Sequence, residues 1–119
     1  EAVKSSYNSY TMDSLALAVG EASIRDEAYF RETCRKVAAT RDRAADELRA
    51  LGFEVTPSLT NFLFATHPKK AAPEIFSALR EKGIFIRYFK LPRIDNHLRI
   101  TVGTDEQMDA LIAALKQIL

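Results

Sequence analysis

Hydrophobic residues recur at helical spacing in four stretches of the chain, and short runs suited to strands lie between them. The helical stretches are residues 14–24, 26–51, 72–82 and 104–119. Thr11 or Ser14 could cap the first of them, and Thr104 with Gln107 forms a capping box at the start of the last. Residues 53–56, 62–65, 84–88 and 98–102 predict strands.

This order of elements predicts an α+β fold. We expect a small antiparallel or mixed sheet of three to four strands, covered on one face by helices. Residues 62–65 are apolar on both sides, which places that strand in the centre of the sheet. The second helix carries one apolar stripe, on which Cys34 would be a small buried residue. The members of this stripe are Phe30, Cys34, Val37, Ala44, Leu48 and Leu51.

Alternation within the last two strands singles out two arginines. In residues 98–102, every second side chain is apolar, so Arg99 points away from the helices. Arg87 does the same in residues 84–88, provided that the apolar faces of the strands align. Two guanidinium groups on one face would bind a dianion such as phosphate. The pattern alone favours the simpler interpretation that both arginines are solvated on an exposed face.

Composition excludes several other functions. Seventeen Lys and Arg against sixteen Asp and Glu leave a net charge of +1, so we expect no nucleic-acid partner and no attraction to an anionic membrane. The apolar runs are too short for a membrane span. Cys34 is the single cysteine, which allows no internal disulfide and suits a reducing cytoplasm.

No residue of the chain is predicted to be catalytic or to hold a metal or cofactor. His67 and His97 have no ligand or acid at suitable spacing, so both are expected at the surface. Lys4 lies in a polar leader and is expected to be exposed rather than to form a Schiff base.

Four segments resemble, in order and spacing, the C-terminal part of histidinol-phosphate aminotransferases. They are residues 3–8, 56–62, 83–87 and 98–104, and together they span nearly the whole chain. The Leu-Arg-Ile-Thr-Val-Gly-Thr run at residues 98–104 is the most specific of them. Ser6 stands where this family usually has proline.

The resemblance implies a fold-type I architecture, in which residues 1–119 are the C-terminal small domain and residues 1–10 are a connector from a large domain. The lysine and the other residues that hold pyridoxal 5'-phosphate would lie before residue 1, so the chain alone would be inactive and would bind no cofactor. The parent protein would be a cytoplasmic homodimer.

The resemblance also assigns substrate-binding residues and a reaction. Arg99 would bind the substrate anion with Arg87 assisting, and Tyr7 and Asn8 are further candidates. The parent would move an amino group between glutamate and imidazole-acetol phosphate in histidine biosynthesis. Two alternatives stay open: another fold-type I enzyme, such as an aromatic aminotransferase or a threonine-phosphate decarboxylase, and a freestanding anion-binding module.

Overall fold

The computed structural model describes residues 10–119 of the chain, which forms two compact units, Glu1–Cys34 and Arg35–Leu119. None of the helices in residues 10–119 combines the length and the apolarity that a membrane crossing requires. Tyr7, Asn8 and Lys4 lie outside the described residues.

The first unit contains helix α1, Ser14–Arg25, and the start of helix α2, Glu27–Ala50. Asp13 caps α1, because its carboxylate accepts a hydrogen bond of 2.7 Å from the backbone N–H three residues later. The cap is therefore Asp13 and neither of the two residues considered from the sequence. Asp26 ends α1, and its carboxylate accepts from the backbone N–H of Tyr29 at 3.1 Å, so α2 begins where the sequence predicted.

The apolar stripe of α2 is buried only in its C-terminal half. Ala44 and Leu48 are fully buried, whereas Phe30 and Cys34 are exposed. The prediction that Cys34 is a buried residue is therefore wrong. The reason is that none of the described residues in Glu1–Cys34 is buried, so this unit offers Cys34 no core of its own.

The second unit is built on a four-stranded antiparallel sheet in the order β1-β2-β4-β3. Its strands are β1 Glu54–Val55, β2 Phe62–Thr66, β3 Arg87–Tyr88 and β4 Leu98–Thr101. The inner position of β2 confirms the prediction made from its continuous apolar run. The α+β class and the strand number are confirmed as well.

Helices α3, Ala72–Glu81, and α4, Asp105–Ile118, join the end of α2 in covering the sheet. The alternation of β2 and β4 decides which face they cover, because every second residue of these strands is buried with the helices. The largest fully buried side chains of this core are Leu48, Leu63, Ile75, Leu79, Leu98, Ile100 and Leu115.

Two local signals mark helix ends, and the first of them was predicted from the sequence. The hydroxyl of Thr104 and the side chain of Gln107 form the capping box that begins α4. Gly83 follows α3 with a φ of 76°, a left-handed conformation that a residue with a Cβ rarely adopts.

Strand β3 is shorter than predicted, since only Arg87 and Tyr88 of residues 84–88 pair with β4. A surface groove of about 390 Å³ is lined by residues 83–86 on one side and by Ile100, Thr101 and Gly103 on the other. Residues 84–86 have the alternating pattern of a strand in the sequence, but in the structure they form no strand pairing.

Candidate functional site

Arg87 and Arg99 are direct neighbours on adjacent strands. Their Cα atoms are register partners in the antiparallel pairing of β3 with β4. Residues directly opposite in such a pair point to the same face of the sheet. Leu98 and Ile100, on either side of Arg99, are buried with the helices, so both arginines point to the opposite face. The structure thus brings together the two arginines that the sequence singled out.

Aromatic rings lie against both guanidinium groups. The Cζ atom of Arg99 is 5.1 Å from the ring centroid of Phe62 and 5.6 Å from that of Phe89. The Cζ atom of Arg87 is 5.3 Å from the centroid of the same Phe89 ring. At these distances a guanidinium is attracted to the electron-rich face of the ring. We call these four side chains the arginine face: Phe62, Arg87, Phe89 and Arg99.

Within residues 10–119, neither arginine of this face forms an ion pair. Other arginines, on α1 and α2, do form ion pairs. Arg87 is exposed and Arg99 is half-buried. The Nε atom of Arg99 is enclosed and has no hydrogen-bond partner in this part of the chain. A guanidinium whose N–H donors are not bound to a carboxylate of the protein can donate them to the phosphate or carboxylate group of a ligand.

His97 belongs to the same side of the sheet, which the sequence analysis missed. Its ring stacks on Phe64 with 4.7 Å between centroids and an interplanar angle of 10°. The residue is half-buried, and its enclosed Nδ1 has no hydrogen-bond partner among residues 10–119. The expectation of a surface histidine is therefore wrong. Extending the alternation of β4 back from Arg99 by two positions would have found it.

His67 is also half-buried, although the sequence predicted it at the surface. Its ring meets Phe53 edge-on at 5.0 Å, and its Nδ1 accepts a hydrogen bond of 3.3 Å from the backbone N–H of Lys69. Its Nε2 would lie 3.2 Å from a Cβ added at Gly52, a position with a φ of 90°. These contacts give His67 a role in packing the turn between α2 and β1.

Asn96 fixes the loop that leads into β4. Its side-chain carbonyl accepts a hydrogen bond of 2.9 Å from the backbone N–H of Ala72, in the first turn of α3. Its amide donates to the hydroxyl of Thr66 at 3.1 Å. Ala71, the N-cap residue of α3, offers no side-chain cap, so Asn96 satisfies an orphan donor of α3 from a distant part of the chain.

A second cluster of charges joins two helices in the layer that covers the other face of the sheet. The guanidinium of Arg43 donates to the carboxylates of Asp105 at 3.0 Å, Asp109 at 2.7 Å and Glu47 at 2.8 Å. These bonds raise the pKa of Arg43 above its usual value. They also lower the pKa of Asp105, to which the hydroxyl of Thr40 donates a further bond. Because these donors are already paired, the cluster serves to hold α2 on α4.

Residues 10–119 contain no group of three or more His, Cys, Asp or Glu side chains placed to hold a metal ion. The arginine face presents two cationic side chains and two aromatic rings. A cationic pair backed by rings can orient an anion.

The fold is of the α+β class, and its sheet carries two neighbouring arginines on the face that the helices leave uncovered. The family of class I and II aminotransferases matches residues 1–115, and the chain belongs to this family. Two curated relatives are the histidinol-phosphate aminotransferase of Marinomonas sp. (strain MWYL1), which is 53% identical over 118 residues, and histidinol-phosphate aminotransferase 2 of Dechloromonas aromatica (strain RCB), which is 54% identical over 118 residues. These matches cover 98% and 99% of the chain.

A solved structure agrees with these relatives. The histidinol-phosphate aminotransferase from Sinorhizobium meliloti, in complex with pyridoxal-5'-phosphate, matches 98% of the chain with a TM-score of 0.85 and 31% identity. In each of the three comparisons the chain spans 33% of the other protein's length. The chain therefore corresponds to about a third of such an enzyme.

Proposed function

We propose that the chain is the C-terminal small domain of a pyridoxal-phosphate-dependent histidinol-phosphate aminotransferase, with residues 1–10 as the connector from a large domain. The parent would move an amino group between glutamate and imidazole-acetol phosphate in the cytoplasm. The observation that carries this proposal is the arginine face, on which two opposed arginines without a carboxylate partner offer a site for a substrate anion.

Arg99 is the main anion-binding residue in this proposal, and Arg87 assists. Arg99 is half-buried, so its charge is less screened by water than that of the exposed Arg87. A phosphate held there is distant from the carbon that reacts. Its binding energy is then available to place the reacting part of the substrate, which contributes to the rate. Tyr7 and Asn8 remain candidate substrate-binding residues on the strength of the resemblance.

The uncovered face of the sheet offers no lysine for the covalent site of pyridoxal phosphate. The side chains on the uncovered face of β2, β3 and β4 are phenylalanine, arginine, threonine and histidine, which provide no amine. Lys70 and Lys82 are engaged near the end of α4, where they donate to the carbonyl of Ile118 and to the side chain of Gln117. We therefore place the cofactor and its lysine in the large domain and derive no step through it.

The large domain is the expected partner of this chain, and the parent is proposed to be a homodimer. The exposed apolar residues of α1 support a covering partner, since a large exposed apolar patch usually marks a contact surface. Leu15, Leu17 and Val19 are each more than half exposed, and no residue of α1 is buried. The rest of the parent would cover them.

The test compares the full-length parent with the 119-residue chain. After incubation with pyridoxal phosphate, the parent should show the visible absorbance of the bound cofactor and convert histidinol phosphate, with 2-oxoglutarate as the amino acceptor. The chain alone should do neither. Cofactor binding by the chain alone, or a parent without activity, would contradict the proposal. Faster turnover of aromatic amino acids by the parent would favour the aromatic aminotransferase alternative.

A further inference from the structure

The two arginines of the face repel one another. They are directly opposite on β3 and β4, a position where like charges destabilise a sheet. Within residues 10–119 no acidic side chain is paired with either of them. Strand pairing places both side chains on the same face of the sheet, but it does not fix where their guanidinium groups lie on that face.

Among residues 10–119, Phe89 is the one ring that both guanidinium groups share. It follows β3 directly and is half-buried, with its centroid 5.3 Å from the Cζ of Arg87 and 5.6 Å from the Cζ of Arg99. Phe62 lies over Arg99 and not over Arg87. Removing Phe62 would therefore affect one arginine, whereas removing Phe89 would affect both.

A ring orients a guanidinium in a different way from a carboxylate. The ring attracts the flat face of the guanidinium and leaves its N–H edge free. A carboxylate would bind that edge and compete with the substrate anion. From this geometry we infer that Phe89 is a positioning residue, which holds Arg87 and Arg99 with their N–H edges available to one phosphate. This inference rests on the proposed function.

The test uses the full-length parent and the variants Phe89→Leu and Phe89→Tyr. Leucine keeps apolar bulk but removes the aromatic face, so the KM for histidinol phosphate should rise about tenfold while kcat changes by less than about twofold. Tyrosine keeps the ring and should restore a KM close to that of the unaltered enzyme. The matched control is Phe85→Leu. Phe85 is exposed, has no arginine over its ring, and should leave KM unchanged.

A double-variant comparison separates positioning from general stability. If Phe89 acts through the arginines, Phe89→Leu should raise KM much less in an Arg87→Ala/Arg99→Ala background than in the unaltered enzyme. An equal rise in both backgrounds, an equal rise from Phe85→Leu, or no rise at all would overturn the inference.

The outcomes also distinguish this inference from the proposed function. If Arg99→Ala raises KM strongly and Phe89→Leu does not, the inference about Phe89 is wrong while the anion site stands. If the parent does not turn over histidinol phosphate, or if Arg99→Ala leaves KM unchanged, the proposed anion site fails, and the inference fails with it.

Discussion

Replacement of Arg99 by alanine is the perturbation that tests the anion site most directly. The guanidinium lies near the rings of Phe62 and Phe89 and has no acidic partner within residues 10–119. No carboxylate of this part of the chain would therefore compete with a bound anion for its N–H donors. A hydrogen bond between charged groups contributes up to about 3 kcal/mol. That energy corresponds to a factor of about a hundred or more. We expect kcat/KM for histidinol phosphate to fall at least about a hundredfold in the full-length enzyme.

The assay measures steady-state kinetics of the full-length enzyme with histidinol phosphate. Two further variants serve as comparisons for Arg99→Ala. Arg99→Lys keeps the charge but loses the planar pair of donors, so its kcat/KM should lie between those of the parent and the alanine variant. Arg80→Ala removes the same charge from an exposed position on α3. It should have no effect. Circular dichroism of each variant checks that the fold is retained.

The reasoning would be refuted by an Arg99→Ala enzyme whose kcat/KM for histidinol phosphate stays within about twofold of the parent, because a charged contact to the substrate cannot be lost at so small a cost. It would also be refuted if Arg80→Ala lowered kcat/KM as much as Arg99→Ala. In that case the total charge of the domain, and not the arginine face, would determine how the phosphate binds.

Two predictions concern the stability of the 119-residue chain. The pKa of Asp105 is lowered from 3.8, first by the hydrogen bond from Arg43 and then by that from Thr40. The ionised Asp105 therefore stabilises the fold fully at pH values above its unfolded-state pKa. This stabilisation is lost as the pH falls through the lower pKa of the folded state. In the Asp105→Asn variant, the free energy of unfolding should fall less steeply below about pH 4 than in the unaltered chain. Urea unfolding at several pH values between 7 and 3 measures this. An equally steep fall in both proteins would count against a stabilising role for the Arg43 cluster. Asn96→Ala leaves the Ala72 N–H without its acceptor and should lower the free energy of unfolding by about 1 to 2 kcal/mol. Urea unfolding at pH 7 measures this, and a loss below about 0.3 kcal/mol would show that water replaces the cap.

Local signals predicted most of the fold because they act within a few residues. The capping box at Thr104, the glycine at position 83 and the double-sided apolar run at residues 62–65 each restrict their own segment. The exceptions are places where a distant segment decides. Cys34 has the spacing of a core residue, yet it is exposed, because spacing shows which residues share a face and not whether anything covers that face.

The arginine face shows the same division. Alternation alone predicted that Arg99 and Arg87 point away from the helices, and the resemblance assigned them a substrate anion. That they are direct neighbours depends on the register between β3 and β4, which no local pattern specifies. The shared ring of Phe89 also depends on this register, whereas the stacking of His97 on Phe64 depends on the pairing of β2 with β4.

The sequence by itself determined the order of the elements, the apolar side of each strand and the residues available for binding an anion, because these follow from periodicity and side-chain chemistry. Only the tertiary structure decided which strands pair, in what register, and which rings lie against which arginines. Most of those contacts join different strands, and their geometry is set when the strands pair and the helices pack on one face of the sheet.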